Sequence, residues 1–182
     1  MRLSTPRVPP LSDEEMPADI KELFGDAPLL NIFRTLSHHP DLFRRWMVFG
    51  NHVLGESTLP AREREIAILR VGHLRNSGYE WTQHVRIALD CGLSEEEIRR
   101  IRTGPDAPEW TDAERALLRA TDELVEDAFV TDSTWNSVTE HFDTQQTMDL
   151  VFAVGQYNLV SMALNTLGVQ VEEENLRFSL SD

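Results

Sequence analysis

Apolar residues along the chain recur three and four positions apart. Phe43, Trp46, Met47, Gly50, Val53 and Leu54 form one stripe, and Leu117, Leu118, Thr121, Leu124 and Val125 form another. No stretch alternates apolar and polar residues for long enough to make a strand. The pattern predicts an all-α fold of about eight helices, over 28–36, 40–54, 60–75, 79–91, 94–102, 111–127, 133–141 and 144–168. Start signals agree with several of these. Ser94 with Glu97, Thr111 with Glu114 and Asp143 with Gln146 have the capping-box spacing, as do Ser12 and Glu15 further upstream. Pro60 suits the first turn of the helix AREREIAILRVGHL. The stretch from Leu150 to Val171 has no charged residue, but it contains Gln156, Asn158, Asn165 and Gln170 as well as Gly155 and Gly168. That polarity points to a buried helix rather than a membrane span.

Proline marks residues 1–18 as an N-terminal arm, and 19–182 is expected to form a single helical domain. TGPDAPEW, residues 103–110, reads as a connection between two helical halves, since neither half alone would bury much. The 182 residues carry 17 Lys and Arg against 31 Asp and Glu, a net charge of −14. Such a surface repels phosphate backbones and anionic bilayers, so neither nucleic acid nor membrane is expected as a partner. With only Cys91, no internal disulfide can form. A reducing, cytoplasmic setting is expected, and the N-terminus shows no apolar run of signal-peptide length.

Chemistry concentrates in SGYEWTQHV, residues 77–85. On a helix, Glu80, His84, Ile87, Ala88 and Cys91 share one face, and its apolar lower part should point inward. Gln83, Arg86 and Asp90 take the opposite face and should meet water. A half-buried carboxylate touching an imidazole can act as a general acid–base pair. Tyr79 could donate a hydrogen bond to an oxyanion. As a plain helix contact the Glu80–His84 pair is worth only about 0.2–0.5 kcal/mol, and Tyr79 and Trp81 serve equally well as packing residues. His38, His39, Arg34, Arg44 and Arg45 form a local basic cluster that could attract a carboxylate or simply make surface ion pairs. Trp46 and Phe43 read as core residues that could also roof a pocket. Gln156, Tyr157 and Asn158 either line a pocket or satisfy bonds between helices. No HExxH or similar histidine pair marks a metal site, and none is expected.

The segment REREIAILRVGHLRNSGYEWTQHVRIALDCGLSEEEI resembles the core of the carboxymuconolactone decarboxylase and alkylhydroperoxidase D superfamily. The later FAVGQYNLVSMALNTLGV is similar to that family's closing helix, so the resemblance spans roughly residues 28–170. It implies a helical bundle of the alkylhydroperoxidase D-like type, assembled as a trimer or hexamer. In the peroxidase branch a glutamate, a CxxC pair and a histidine carry the reaction. Glu65 and His84 fall on the first and last of these positions, but Ser77 and Glu80 occupy the two thiol positions. Neither can form the sulfenic acid and disulfide that peroxide reduction by that route requires. The decarboxylase branch is closer and implies chemistry without metal or organic cofactor on a small organic acid or carbonyl compound, by decarboxylation, isomerisation or a lyase step. On that resemblance the catalytic residues are His84, Glu80 and Glu65, with Tyr79, Ser77 and Trp81 binding substrate. Two other readings stay open: a peroxidase relative using Cys91 or an external thiol, and an oligomer that binds a ligand without turning it over.

Overall fold

The structure is a computed structural model that describes residues 1–25 and 27–179; the end of the expected domain, 180–182, lies outside the described residues. Among the described residues the chain is all-helical. The α-helices are α1 (Ala18–Phe24), α2 (Asn31–Leu36), α3 (Pro40–Asn51), α4 (Ala61–Leu74), α5 (Gly78–Asp90), α6 (Glu95–Thr103), α7 (Asp112–Asp127), α8 (Asp132–Thr139) and α9 (Thr144–Leu167). A π-helical turn, His52–Glu56, extends α3, and a 3-10 turn, Glu173–Phe178, closes the described chain.

At the centre is α4. It packs against α5, α6, α7 and α9, and every residue from Glu65 to Gly72 is buried. A helix surrounded in this way needs apolar residues on all faces, which the IAILRV run supplies. The charge-free α9 lies beside it and buries Leu150, Ala153, Val154, Tyr157 and Leu164. By length and composition α9 could cross a membrane; in this fold Leu150, Ala153, Val154 and Tyr157 fill the core against α4 and α7, and Leu164 packs with Tyr79, Val160 and Val169.

The helix starts are tied to one another. Glu97 and Glu114 complete capping boxes on α6 and α7. The guanidinium of Arg62, on the first turn of α4, donates to both of these glutamates. Burial opposes ionisation of Glu97, yet the Arg62 guanidinium and the Ser94 donors hold it down at about 2. Arg70 does similar work at the other end of α6. It donates to Asp122 of α7 at 2.6 and 2.9 Å and to the carbonyls of Ile101 and Arg102, each at 2.9 Å. The guanidinium leaves no room for a side chain at Gly104, where φ is +94°.

Residues 1–17 contain no helix. They run over the C-terminal end of α9, where Arg7 and Val8 donate backbone N–H groups to the Leu167 carbonyl at 2.8 and 3.2 Å. Phe24, Phe33, Phe43 and Trp46 join α1, α2 and α3 through ring contacts of 4.9–6.4 Å between centroids, each worth about 0.5–1.5 kcal/mol beyond burial.

The structure corrects four expectations. Ser12 does bond to Glu15, but the bonds close a turn rather than open a helix, because Pro17 follows and α1 starts at Ala18. α1 and the Glu173–Phe178 turn carried no readable periodicity, being 7 and 6 residues long. The helix expected over 28–36 begins only at Asn31. Gln83 does not face water: it is buried under the C-terminal segment.

Gly104→Ala should destabilise the protein by about 1–3 kcal/mol, since it combines a positive φ with a clash against Arg70. Urea unfolding measures this; an unchanged midpoint would show that Arg70 can move aside.

Candidate active site

α4 and α5 run together from the tight link at residues 75–77, where Ser77 donates its backbone N–H to the Gly72 carbonyl at 2.8 Å. Gly72 lets the helices approach closely, since a methyl there would touch the Glu80 side chain at 3.6 Å. This register brings Glu65 of α4 against Glu80 and His84 of α5. The His84 Nδ1–H donates to Glu65 Oε2 at 2.6 Å. Its Nε2 lies 2.9 Å from Glu80 Oε1. Glu65 is wholly buried, and Glu80 and His84 are 4% and 5% exposed. The three form one line, carboxylate–imidazole–carboxylate, inside the protein.

Burial alone would lower the imidazole's pKa, but the charges and hydrogen bonds of Glu65 and Glu80 outweigh it and raise it to about 10. His84 is therefore an imidazolium at neutral pH, with each nitrogen engaged by a carboxylate. Arg64 Nε lies 3.6 Å from Glu65 Oε1, so the cluster matches two basic side chains with two acidic ones. The Tyr157 ring of α9 stands edge-on to His84 at 4.8 Å between centroids. Burial first, then the charges of Glu80 and Glu65, pushes the Tyr157 phenol well above its ordinary range.

The other residues singled out from the sequence lie around this line but do not join it. The Tyr79 hydroxyl donates to Glu172 Oε1 at 3.0 Å and accepts from the Ile32 N–H at 3.3 Å. Gln83 donates to the other oxygen of Glu172. Tyr79 and Gln83 thus pin the C-terminal segment onto α5. Trp81 is buried, with the Arg102 guanidinium stacked over it at 4.5 Å. The Ser77 hydroxyl is buried with no hydrogen-bond partner. Ser77 and Trp81 line a hollow of about 540 Å³ at the start of α5, together with Arg2 and Thr82. Glu65, Glu80 and His84 do not line it.

Cys91 is partly exposed beyond the last turn of α5. Burial, followed by the charge of Glu65, pushes its thiol up, away from a reactive thiolate. Two arginines of the basic cluster around His38 are held in ion pairs: Arg34 with Asp13, and Arg44 with Asp19 and Asp41. Among the described residues no group of three or more His, Cys, Asp or Glu side chains is arranged to hold a metal ion. Arg64 and Glu172 matter here but did not stand out in the sequence, and Tyr157 was read only as lining a pocket or joining helices. Arg64 sat in a run of alternating charge and Glu172 in an acidic tail.

The sequence model of the Carboxymuconolactone decarboxylase family matches residues 40–123, the segment that holds α4, α5 and their charged line. An uncharacterized peroxidase-related protein from Ralstonia eutropha JMP134, with an alkylhydroperoxidase AhpD core, has the same fold at a TM-score of 0.85 and 18% identity, over 97% of each chain. The debrominase Bmp8, in a variant bound to 2,3,4-tribromopyrrole, superposes at a TM-score of 0.79 and 13% identity, over 96% of each chain. The uncharacterized protein YdfG of Bacillus subtilis (strain 168) is 25% identical over 114 residues, 60% of this chain and 78% of its own. The family match over α3 to α7 and the shared fold agree with the resemblance read from the REREI to HV segment.

His84→Ala should cost about 3–5 kcal/mol, because it leaves two buried carboxylates facing each other without their cation. The folded pKa is raised, so the stabilisation from His84 is complete below the free imidazole value of about 6.5 and fades as pH rises through about 10. Thermal unfolding followed from pH 6 to 10.5 should show a loss in the wild type that is absent in His84→Ala; parallel curves would refute the shift.

Proposed function

We propose that the protein is a cofactor-independent acid–base enzyme of the carboxymuconolactone decarboxylase type, acting on a small organic acid or carbonyl compound. The observation that carries this reading is the buried line Glu65–His84–Glu80, in which an imidazolium keeps its proton at neutral pH between two carboxylates. Such a group is a donor held ready for a carbanion. In a decarboxylation the bond from the α-carbon to the carboxylate breaks, carbon dioxide leaves, and the electron pair stays on the substrate as an enolate. The Nε2 proton of His84, shared with Glu80, passes to that carbon, and solvent restores it. In an isomerisation Glu80 first takes a proton from carbon, and the same pair returns it at a neighbouring position. Glu65 fixes the ring by holding Nδ1–H and is a positioning residue. Assembly as a trimer or hexamer belongs to the same proposal.

A thiol peroxidase reading is less well supported. Ser77 and Glu80 stand where that chemistry needs two thiols, and the Cys91 thiol is pushed up rather than down. The peroxidase-related and debrominase relatives share the fold, at identities too low to bring their reactions here.

The test is a panel of small keto acids and unsaturated lactone acids, followed by NMR in D₂O for carbon dioxide loss or deuterium uptake beside the carbonyl. Wild-type protein should turn over at least one. Glu80→Gln should slow it by about 10²–10⁴-fold, and the wild-type rate should fall as pH rises through about 10. A panel without any exchange or release, or an unchanged rate in Glu80→Gln, would overturn the reading.

A further inference from the structure

On the outer side of α9 the structure has a second hollow, of about 440 Å³, between α3 and α9. Trp46 and Phe49 of α3 wall it, with Phe152, Leu159, Gly155 and Gln156 of α9. The one polar side chain at its lining is Gln156, only 5% exposed, and no hydrogen bond to its amide occurs among the described residues. The Trp46 indole N–H is buried without an acceptor. Both groups meet around Gly50, where a built Cβ would lie 3.8 Å from Gln156 Nε2 and 3.9 Å from the Trp46 ring. The Gln156 amide reaches the hollow and has no bond to the protein among the described residues, so an acceptor bound there can take its N–H. Gly155 opens the hollow from α9, since nothing lies within 4 Å of where its Cβ would stand. No Asp, Glu, Lys or Arg takes part in the lining.

We infer that this hollow binds a small neutral ring compound carrying one carbonyl oxygen, its ring against Trp46, Phe49, Phe152 and Leu159 and its oxygen taking the Gln156 amide N–H. The volume suits a ring-sized ligand, and apolar walls with a single polar group are the usual make-up of such sites. The absence of charged lining groups selects against acids and amines. Tyr157, the next residue on α9, touches His84 on the inner side of the helix. The hollow and the charged line are thus neighbours through one helix. The inference concerns binding and stands or falls apart from any turnover.

The probes are acetophenone and ethylbenzene, which match in shape and differ in the carbonyl. Binding to the full chain is read from the indole N–H resonance of Trp46, assigned by its loss in Trp46→Phe, and from the side-chain amide of Gln156. Acetophenone should shift both, and ethylbenzene should bind about three- to tenfold more weakly. Gln156→Leu should erase that difference while ethylbenzene still binds. Gly155→Leu should weaken both probes tenfold or more by filling the space, and Gly155→Ala should do so partially; both replace a mid-helix glycine and should fold. Absence of shifts up to the solubility limit, or binding unchanged in Gly155→Leu, would overturn the inference. So would light scattering showing that Gly155→Leu breaks an oligomer apart with no probe effect on the wild type, because a second copy of the chain would then be the occupant.

Discussion

An imidazolium buried between two carboxylates is tolerated only where every charge finds its partner at fixed distance, since removing ions from water costs several kcal/mol each. The rest of the structure serves that condition. Gly72 lets α4 and α5 come close enough for Glu65 to reach His84, and α7 and α9 seal α4 from water. Tyr157 covers the edge of the imidazole, and Arg64 supplies a second cation near the innermost carboxylate. The C-terminal segment is pinned over α5 by Glu172, so the helix that carries two of the three groups is held from outside as well. Loosening any of these would let water in and dissolve the feature that gives His84 its high proton affinity.

The same arrangement sets this chain apart from the thiol pattern of the peroxidase branch it resembles. Where the peroxidase branch has its thiols, this chain has a hydroxyl at Ser77 and a carboxylate at Glu80. The hydroxyl is buried without a partner, whereas the carboxylate belongs to the line. At that point a carboxylate stands 2.9 Å from His84 Nε2 instead of an oxidisable thiol. The lone cysteine lies beyond the helix end, where burial and the charge of Glu65 both favour the neutral thiol.

Much of the fold was legible because helices announce themselves locally. Three of the four capping boxes sit at helix starts, and the long helices follow the apolar spacing. What escaped was set by partners distant in sequence. Gln83 looked like a solvent residue because its cover, Glu172, is 89 positions away. α1 is too short to carry a period and owes its place to aromatic contacts with α2 and α3. In the charged line, the four-residue spacing of Glu80 and His84 was visible directly. Glu65 entered only through the family resemblance, because no local pattern reveals that α4 folds back along α5. The pairing of Tyr79 with Glu172 instead of with the line was equally invisible, since a phenol at a helix start can turn either way.

Arg62 has a consequence for the motions of the molecule. One guanidinium touches the capping glutamates of two helices while standing on the first turn of a third. The starts of α6 and α7 are therefore not separate fraying ends. If one opens, the shared cation loses one of its two carboxylates and the other cap weakens with it. Amide protons in those two first turns, 15 or more residues apart in sequence, should exchange with solvent as one cooperative unit anchored to α4. The end of the bundle at which the core helix begins would then breathe as a whole, while the charged line further along α4 stays closed.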